Sequence, residues 1–252
     1  MSLLSPRLRV FAGPNGSGKS TIKEMLPEAW LGVYVNADDI EKYLRDKGVL
    51  ALDNFEVAAS SEELHEFLRN SSLLRNAGLL TQAAQLQLVE NKIHTGSISI
   101  NSYLASVLAD FIRHKLLQTQ TSFTFETVMS SPDKVSFLQK AQQAGFRTYL
   151  YFVATEDPQI NVSRVQHRVE TGGHSVPPDK IVSRYARSLD LLSDAVTYAN
   201  RAYIFDNSGH ARVWIAEVTE GESIEIKTDQ MPAWFKTALW DKFDTSDDLA
   251  AM

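Results

Sequence analysis

Residues 8–21 read LRVFAGPNGSGKST, an apolar run that passes directly into a glycine-rich loop. The segment from Gly13 to Ser20 matches the spacing G-x-x-x-x-G-K-[ST] at every defined position. Glycines permit backbone angles that a β-carbon would forbid, so the loop can curl with its N–H groups facing an anion. A helix after the loop would direct its positive end at the same place. The segment therefore predicts a phosphate-binding loop, and the alternative is a glycine-rich turn without a ligand.

The expected ligand of this loop is a nucleoside triphosphate, namely ATP with Mg²⁺. Lys19 would place a positive charge on the β- and γ-phosphates, and the Ser20 hydroxyl is the expected Mg²⁺ ligand. The predicted nucleotide-binding residues are Gly13, Pro14, Asn15, Gly16, Ser17, Gly18, Lys19, Ser20, Thr21, Arg164 and Arg168. We find neither the guanine-reading Asn-Lys-x-Asp motif nor a Leu-Ser-Gly-Gly signature of transporter ATPases, which favours a small-molecule kinase.

Composition limits the classes of protein to which the chain can belong. The 252 residues are 44% hydrophobic and 22% charged, which is typical of a globular protein and consistent with a single domain over residues 1–252. The net charge of -6 argues against nucleic acid as the partner. With no cysteine, disulfide and thiol chemistry are excluded. No apolar run is long enough for a membrane span, and we expect a cytoplasmic protein without a membrane partner.

The order of strand and helix patterns predicts the fold class. Apolar strand candidates alternate with helical patterns, which is typical of a parallel sheet with helices on both faces. The five strand candidates are residues 8–12, 31–35, 122–126, 148–154 and 202–205. We therefore expect an α/β P-loop NTPase three-layer sandwich with a parallel five-stranded sheet. A β-hairpin and a closing helix at residues 234–243 would form a C-terminal extension over about residues 210–252.

Residues 50–101 show no convincing strand and are predicted to be a helical insertion. Ser60 and Glu63 have the spacing of a capping box, and apolar residues follow at helical spacing. Three interpretations of the insertion stay open: extra packing, a cap that walls an acceptor pocket, or a partner surface that acts as a brake.

Polar residues follow two of the predicted strands, where ligands of such sheets bind. Asn36 and Asp38 come after the second strand, and Glu126 ends the third. Asp38 is a candidate general base for an attacking hydroxyl, or Asp38 or Asp39 merely caps the next helix. Glu126 could hold Mg²⁺ through water or hold a substrate hydroxyl, and the alternative is a partly buried salt bridge.

The segment 164–187 concentrates cations around a flexible turn. Arg164 and Arg168 are four residues apart on one predicted helix, and Gly172-Gly173-His174 separates this helix from the next. Two helices joined by a cationic turn are typical of a lid that closes over a triphosphate and excludes water. Any one of these arginines, taken alone, is a solvated surface charge by default.

These residues together resemble the zeta toxin-like kinases, in particular their branch of predicted bacterial P-loop ATPases. The resemblance is carried by residues 12–21, Val35-Asn36-Ala37-Asp38, Phe125-Glu126-Thr127, residues 164–189 and Asp206-Asn207-Ser208-Gly209. It spans about residues 7–209 and includes no counterpart of residues 50–101. The best-understood members phosphorylate UDP-N-acetylglucosamine with ATP, so the resemblance implies that activity and names an antitoxin protein as a candidate partner.

The resemblance also implies roles for individual residues. Asp38 matches the catalytic base, Glu126 an acid that contacts the sugar, and Arg168 a lid arginine on the phosphates. The second lid arginine of the family falls near His174, and Arg184 is the alternative for its role. The predicted catalytic residues are Asp38, Lys19 and Arg168, and the predicted acceptor-binding residues are Asn36, Asp38, Glu126, Thr127, His174 and Arg184.

The sequence thus predicts a kinase that transfers the γ-phosphoryl group of ATP to a hydroxyl of a small metabolite. UDP-N-acetylglucosamine is the candidate acceptor. A nucleotide-gated regulatory module without an acceptor is the alternative, and a kinase acting on nucleic-acid ends is a third, disfavoured by the acidic charge.

Overall fold

A computed structural model describes residues 5–172 and 175–243. The chain divides into two compact units, one formed by residues 1–30 with 126–252 and the other by residues 31–125. Among the described residues, no helix combines the length and the apolar composition that crossing a membrane requires.

The first unit is built on five strands, namely β1 (Arg7–Ala12), β7 (Arg147–Ala154), β8 (Arg201–Asp206), β9 (Val213–Thr219) and β10 (Ser223–Ile226). Their order in the sheet is β10-β9-β8-β7-β1. β1, β7 and β8 run parallel to one another, whereas β9 and β10 add an antiparallel hairpin. The predicted C-terminal hairpin is therefore confirmed in position and type.

One face of these strands carries the core of the first unit. Leu8 and Val10 of β1 and Leu150 and Phe152 of β7 are all at most 1% exposed. The helices of this unit are α1 (Lys19–Lys23), α8 (Pro132–Gln143), α9 (Pro158–Glu170), α10 (Pro178–Asp190), α11 (Leu192–Thr197) and α12 (Ala233–Phe235). Of these helices, α1, α8 and α11 contact β7. Burial on this scale is the main stabilising term of the unit, because each buried aliphatic side chain contributes about 1.5–3 kcal/mol.

The second unit holds a parallel strand pair and a separate small sheet. β2 (Val33–Val35) pairs with residues 123–125 of β6 (Phe123–Thr127), whose last two residues belong to the first unit. The helices α3 (Ala37–Lys47) and α7 (Ser102–Gln118) pack against each other. β1, β7 and β8 are parallel within the first unit, and β2 and β6 are parallel to each other, which accounts for the five strands expected from the sequence.

The insertion differs from its purely helical prediction. It contains an antiparallel sheet of β3 (Val49–Ala51), β4 (Gln87–Val89) and β5 (Lys92–His94) in the order β3-β5-β4. Its other elements are a 3-10 helix (Leu52–Phe55), α4 (Ser61–Asn70), α5 (Ser72–Asn76) and α6 (Leu80–Ala83). The short helix α2 (Glu28–Leu31) lies where the first unit passes into the second along the chain. The prediction of no strand in residues 50–101 was wrong, because strands of three residues are too short to show a period of two.

Two helix bounds also differ from the sequence pattern. The sequence pattern predicts one helix from Pro178 to Ala199. The structure divides it into α10 and α11 at Leu191, which is the C-cap of the first and the N-cap of the second. The closing helix begins at Ala233 and passes through a π-helical turn (Lys236–Trp240) before it continues to Phe243. The single-domain organisation over residues 1–252 stays a prediction.

Candidate functional site

The loop at residues 13–18 lies between β1 and α1 and requires glycine at its turning points. Gly13 has φ of 137° and Gly18 has φ of 98°, in the region that L side chains rarely adopt. A β-carbon on Gly13 would come to 2.0 Å from the carbonyl oxygen of Val153, and one on Gly18 to 2.3 Å from Nδ2 of Asn207. Both distances are clashes, so only glycine at these two positions allows the loop to lie this close to Val153 and Asn207.

Two asparagine side chains from distant segments fix the loop. Asn161 of α9 donates from Nδ2 to the carbonyl of Asn15 at 2.6 Å, and its Oδ1 accepts a hydrogen bond from the Thr155 hydroxyl. Asn207, just after β8, donates from Nδ2 to the carbonyl of Ser17 at 2.7 Å. Asn161 is fully buried, so its amide is committed to these contacts. Carbonyls held in this way cannot turn toward an anion, which pre-organises the loop for a phosphate.

Lys19, the first residue of α1, places its ammonium group against the loop. Its Nζ donates to the carbonyls of Gly13 and Pro14, each at 2.9 Å. The charge therefore lies beside the glycine-rich turn, where the phosphate-loop pattern predicts it.

Ser20 and Glu126 bring two oxygen ligands together in the first unit. The Ser20 hydroxyl donates to Oε2 of Glu126 at 3.5 Å. A hydroxyl and a carboxylate suit Mg²⁺, which prefers oxygen and usually takes only one or two protein ligands beside phosphate oxygens. In the described part of the chain no group of three or more His, Asp or Glu side chains could hold a metal alone. The site therefore fits a Mg²⁺ ion that arrives with phosphates.

Neighbouring threonines hold the two segments in shape. Thr21 donates from Oγ1 to the carbonyl of Gly18 at 2.7 Å and accepts from Nη1 of Arg212 at 3.1 Å. Thr127 accepts at Oγ1 from the backbone N–H of Met129 at 3.0 Å. Their side chains thus bond to backbone groups and to Arg212, a cation beside the loop that the sequence patterns did not single out.

The helix α9 carries a half-buried arginine next to the loop. Arg164 lies one turn beyond Asn161, which touches the loop, and its Nη1 is buried with no hydrogen-bond partner in residues 5–172 and 175–243. The buried hydroxyl of Ser17 within the loop likewise lacks a partner among those residues. Buried polar atoms without partners are costly, and an anion at the loop would satisfy such donors. Arg168 follows on the next turn of the same helix.

The helix pair of the predicted lid has an apolar core and a fixed second helix. Val162 and Val165 of α9 pack against Ile181 of α10. The Tyr185 hydroxyl donates to the carbonyl of Thr155 at 2.5 Å, and burial raises the pKa of this phenol to about 12.

Ser188 donates to the carbonyl of Val128 at 2.8 Å, and Arg187 donates to the carbonyl of Ser130 at 3.1 Å. These bonds tie α10 to the segment that follows Glu126. Arg184 lies half-buried on the same helix. His174 lies outside the described residues, and movement of the helix pair stays a prediction.

The candidate base belongs to the second unit, at the start of α3. Asn36 is the N-cap, since its side chain accepts from the backbone N–H of Asp38 at 2.9 Å and donates to the Tyr34 hydroxyl at 3.1 Å. The interpretation of Asp38 or Asp39 as the cap was therefore wrong. The Asp38 side chain is exposed, and its role as a base stays a prediction.

Sequence reasoning missed the residues that hold the loop. Asn161 gave no signal, because its partner is the carbonyl of Asn15, 146 residues away in the sequence. Asn207 stood within the family-like Asp206-Asn207-Ser208-Gly209 segment, which was the available clue. Asp206 itself accepts from the indole N–H of Trp234 at 2.8 Å, which ties the closing helix to this strand end.

A glycine-rich loop between a parallel strand and a helix, with Lys19 and Ser20 at its end, defines a protein of the P-loop NTPase class. The zeta toxin family model matches residues 89–219, which is just over half of the chain. The chain belongs to the zeta toxin family.

Solved structures share the fold at low sequence identity. A chain of the AvrRxo1-ORF1:AvrRxo1-ORF2 complex with sulphate ions has a TM-score of 0.55 and 15% identity, covering 89% of this chain and 62% of that one. The same complex with ATP has a TM-score of 0.51 and 14% identity, with 88% and 61% covered. A chain of the PezAT toxin-antitoxin system of Streptococcus pneumoniae has a TM-score of 0.50 and 14% identity, with 98% and 86% covered.

Among curated proteins, an uncharacterized protein of Haemophilus influenzae is 26% identical over 72 residues. That match covers 29% of this chain and 51% of the relative. The chain thus spans about half of this relative and about 62% of the AvrRxo1 complex chain.

Proposed function

We propose that this protein is an ATP-dependent kinase that transfers the γ-phosphoryl group to a hydroxyl of a small metabolite. The observation that carries the proposal is the loop with Lys19 beside it and Ser20 within 3.5 Å of Glu126. Membership of the zeta toxin family and a solved relative described with ATP support ATP as the donor. We place the activity in the cytoplasm, where ATP and such metabolites are available.

The first unit would bind the nucleotide. The N–H groups of residues 13–20 and the ammonium of Lys19 would hold the phosphates. Nη1 of Arg164, which has no hydrogen-bond partner in the described part of the chain, would approach the same anion. Ser20 and Glu126 would hold Mg²⁺, which neutralises charge on the β- and γ-phosphates when it is bound. The resemblance implies that Glu126 contacts the sugar. Its contact with Ser20 instead supports a role in binding Mg²⁺.

The transfer needs a base and a cation over the moving group. The acceptor hydroxyl oxygen would bond to the γ-phosphorus as the bond from that phosphorus to the bridging oxygen of ADP breaks, and the hydroxyl proton would pass to Asp38. Arg168 would stabilise the charge that spreads over the transferring group. Asp38 is exposed and is not the cap of its helix, so capping does not compete with a role as general base.

UDP-N-acetylglucosamine is the first acceptor to test. Asn36, Thr127, His174 and Arg184 are the proposed acceptor contacts beside Asp38 and Glu126. We propose an antitoxin protein as partner, because one structural relative is described as part of a toxin-antitoxin system.

The test is to incubate the protein with Mg-ATP and a bacterial metabolite extract, with UDP-N-acetylglucosamine in a separate arm. Mass spectrometry should find one metabolite that gains a phosphoryl group. Asp38→Asn should lower turnover by about 10²–10⁴-fold while ATP affinity stays near that of the parent, because general-base catalysis is lost but the loop is intact. Lys19→Ala should weaken ATP binding itself.

Asp39→Asn is the matched control, since it removes the adjacent exposed carboxylate of the same helix turn. Equal turnover of Asp38→Asn and the parent would rule out the base assignment. ATP binding without phosphorylation of any metabolite would favour the regulatory module instead of the kinase.

A further inference from the structure

The parallel strands of the first unit have two unlike faces. One face is the apolar core, whereas the other carries arginine and aromatic side chains at alternate positions. These residues are Arg7, Arg9 and Phe11 on β1, Arg147, Tyr149 and Tyr151 on β7, and Arg201, Tyr203 and Phe205 on β8. A parallel sheet is usually apolar on both faces, so this pattern calls for an explanation.

The strand register gathers these side chains at one end of the sheet. Arg7 is the partner of Arg147, and Arg9 is the partner of Tyr149, which in turn is the partner of Arg201. Arg7, Arg147 and Arg201 are each the first residue of their strand. The cations therefore lie at the amino ends of the parallel strands, whereas the phosphate loop follows the carboxyl end of β1.

A cavity of about 420 Å³ opens on this arginine and tyrosine face. Four arginines, three tyrosines and Trp30 line it, and no acidic side chain is among these described lining residues. A volume of this size suits a small organic ligand. The lining is strongly positive in a chain whose net charge is -6.

Arg9 is the residue that most requires a ligand. It is only 3% exposed, and its Nε has no hydrogen-bond partner among residues 5–172 and 175–243. Its guanidinium lies 5.1 Å from the centre of the Tyr149 ring, which stabilises the cation partly. A buried guanidinium N–H without an acceptor is costly, and an anion in the cavity would supply that acceptor.

Two carboxylates of the β9–β10 hairpin, Glu217 and Glu225, already form ion pairs. Glu217 forms an ion pair with Arg201 and approaches Nζ of Lys227 at 3.9 Å, and Glu225 pairs with the same lysine at 2.5 Å. Among residues 5–172 and 175–243, neither Arg9 nor Arg147 forms an ion pair with a carboxylate, and Arg147 lies 5.7 Å from the centre of the Tyr149 ring. An anion in the cavity would balance their charge.

The aromatic rings that line the cavity include a stacked tyrosine, Tyr151, and an exposed tryptophan, Trp30. Tyr151 stacks with Phe11 at 4.9 Å and with Tyr203 at 5.0 Å between ring centres. Burial raises the pKa of Tyr151 to about 12, so this phenol is neutral at pH 7 and does not repel an anion. Trp30 is 52% exposed at the rim, and a flat exposed ring is suited to stack on a nucleobase.

We propose that this cavity binds a nucleoside monophosphate, with the phosphate on Arg9 and Arg147 and the base stacked on Trp30. The site is separate from the phosphate loop, because Arg9 precedes the first loop residue by four residues, or about 13 Å of extended strand, and Arg147 is the first residue of β7. The proposal does not depend on the kinase activity proposed above.

The test uses the full chain with Lys19→Ala, which suppresses binding at the phosphate loop. AMP, GMP, CMP and UMP are titrated by calorimetry and by tryptophan fluorescence, with inorganic phosphate and a uridine oligonucleotide as separate arms. At least one monophosphate should bind, and adding Arg147→Gln should weaken it about tenfold or more, because a charge-assisted hydrogen bond is lost. Trp30→Ala should weaken nucleotide but not phosphate binding.

Arg75→Gln in the second unit is the matched control for the loss of one exposed arginine and should leave the affinity unchanged. Arg9→Gln is tested as a second variant if circular dichroism shows that it is folded. If it does not fold, the result for Arg147→Gln alone is used. The monophosphates are titrated up to about 5 mM, so that ligands with millimolar dissociation constants are also detected. If none of them binds, the proposal is overturned. Equal affinity for inorganic phosphate, or tighter binding of the uridine oligonucleotide than of every monophosphate, overturns it as well.

Discussion

Asn207 joins two segments of the chain that are 190 residues apart through one amide hydrogen bond to Ser17. Asn207→Ala removes this donor and leaves the loop carbonyl free to turn toward the phosphates. We expect the affinity for Mg-ATP to fall about tenfold, since a hydrogen bond contributes about 1 kcal/mol and the loop also loses its fixed shape. Calorimetry with Mg-ATP measures the effect.

Asn70→Ala, at the last residue of α4 and outside the loop, is the control for an asparagine lost from an exposed surface. An Asn207→Ala protein that binds Mg-ATP as tightly as the parent contradicts the positioning role. Circular dichroism separates loss of affinity from loss of fold.

At this residue scale, the sequence predicted the loop itself but not what holds it. The glycines, Lys19 and Ser20 are recognisable because their spacing is local. The partners Asn161 and Asn207 are not, because they are set by which strand ends meet in the folded chain. Asp38 shows the same limit, since its neighbour Asn36 forms the cap that the sequence also allowed for Asp38.

The helix α4 is the clearest case at the scale of one element. The Ser60 hydroxyl accepts from the N–H of Glu63 at 3.2 Å, and Oε2 of Glu63 accepts from the N–H of Ser60 at 2.7 Å. Lys115 donates to the other oxygen of Glu63 at 2.8 Å. The hydrogen bond from Lys115, followed by that from Ser60, lowers the pKa of Glu63 below its ordinary 4.5.

A lowered pKa in the folded state stabilises the fold above the ordinary pKa, and this stabilisation is lost as pH falls through the folded pKa. Glu63→Gln should therefore lower the free energy of unfolding at pH 7 by about 0.5 kcal/mol, because half-exposed ion pairs contribute little. The difference from the parent should vanish at pH values well below 4.5. Urea unfolding at both pH values measures it.

Glu62→Gln, at the neighbouring exposed position of the same turn, is the control for the loss of one negative charge near the helix start. A Glu63→Gln effect that is the same at both pH values contradicts the linkage argument.

Elements with a local signal were predictable, and those stabilised only by their partners were not. The capping box of α4 was visible because serine and glutamate lie three residues apart. β3, β4 and β5 were missed because each has three residues and is defined by its pairing around Ile93, which is fully buried. The division of α10 from α11 at Leu191 likewise carries no glycine or proline signal.

At the scale of the whole molecule, the phosphate loop and the residues that fix it all belong to the first unit. The loop residues, Asn161, Asn207, Arg164 and Glu126 fall within residues 1–30 and 126–252. A ligand that binds only the folded state stabilises whatever cooperative unit contains its site. Mg-ATP should therefore stabilise the first unit directly.

Mg-ATP at about 100 times its dissociation constant contributes about 2.7 kcal/mol, which corresponds to a rise in Tm of about 5–10 °C for a chain of this size. Differential scanning calorimetry measures this rise, and Lys19→Ala should abolish it. If the two units unfold in separate transitions, only one transition should move, because residues 31–125 contribute no part of the phosphate loop. A shift of both transitions would instead indicate that the second unit also binds the nucleotide. A single transition that shifts as a whole would mean that the two units unfold as one cooperative body, because a ligand then stabilises both together.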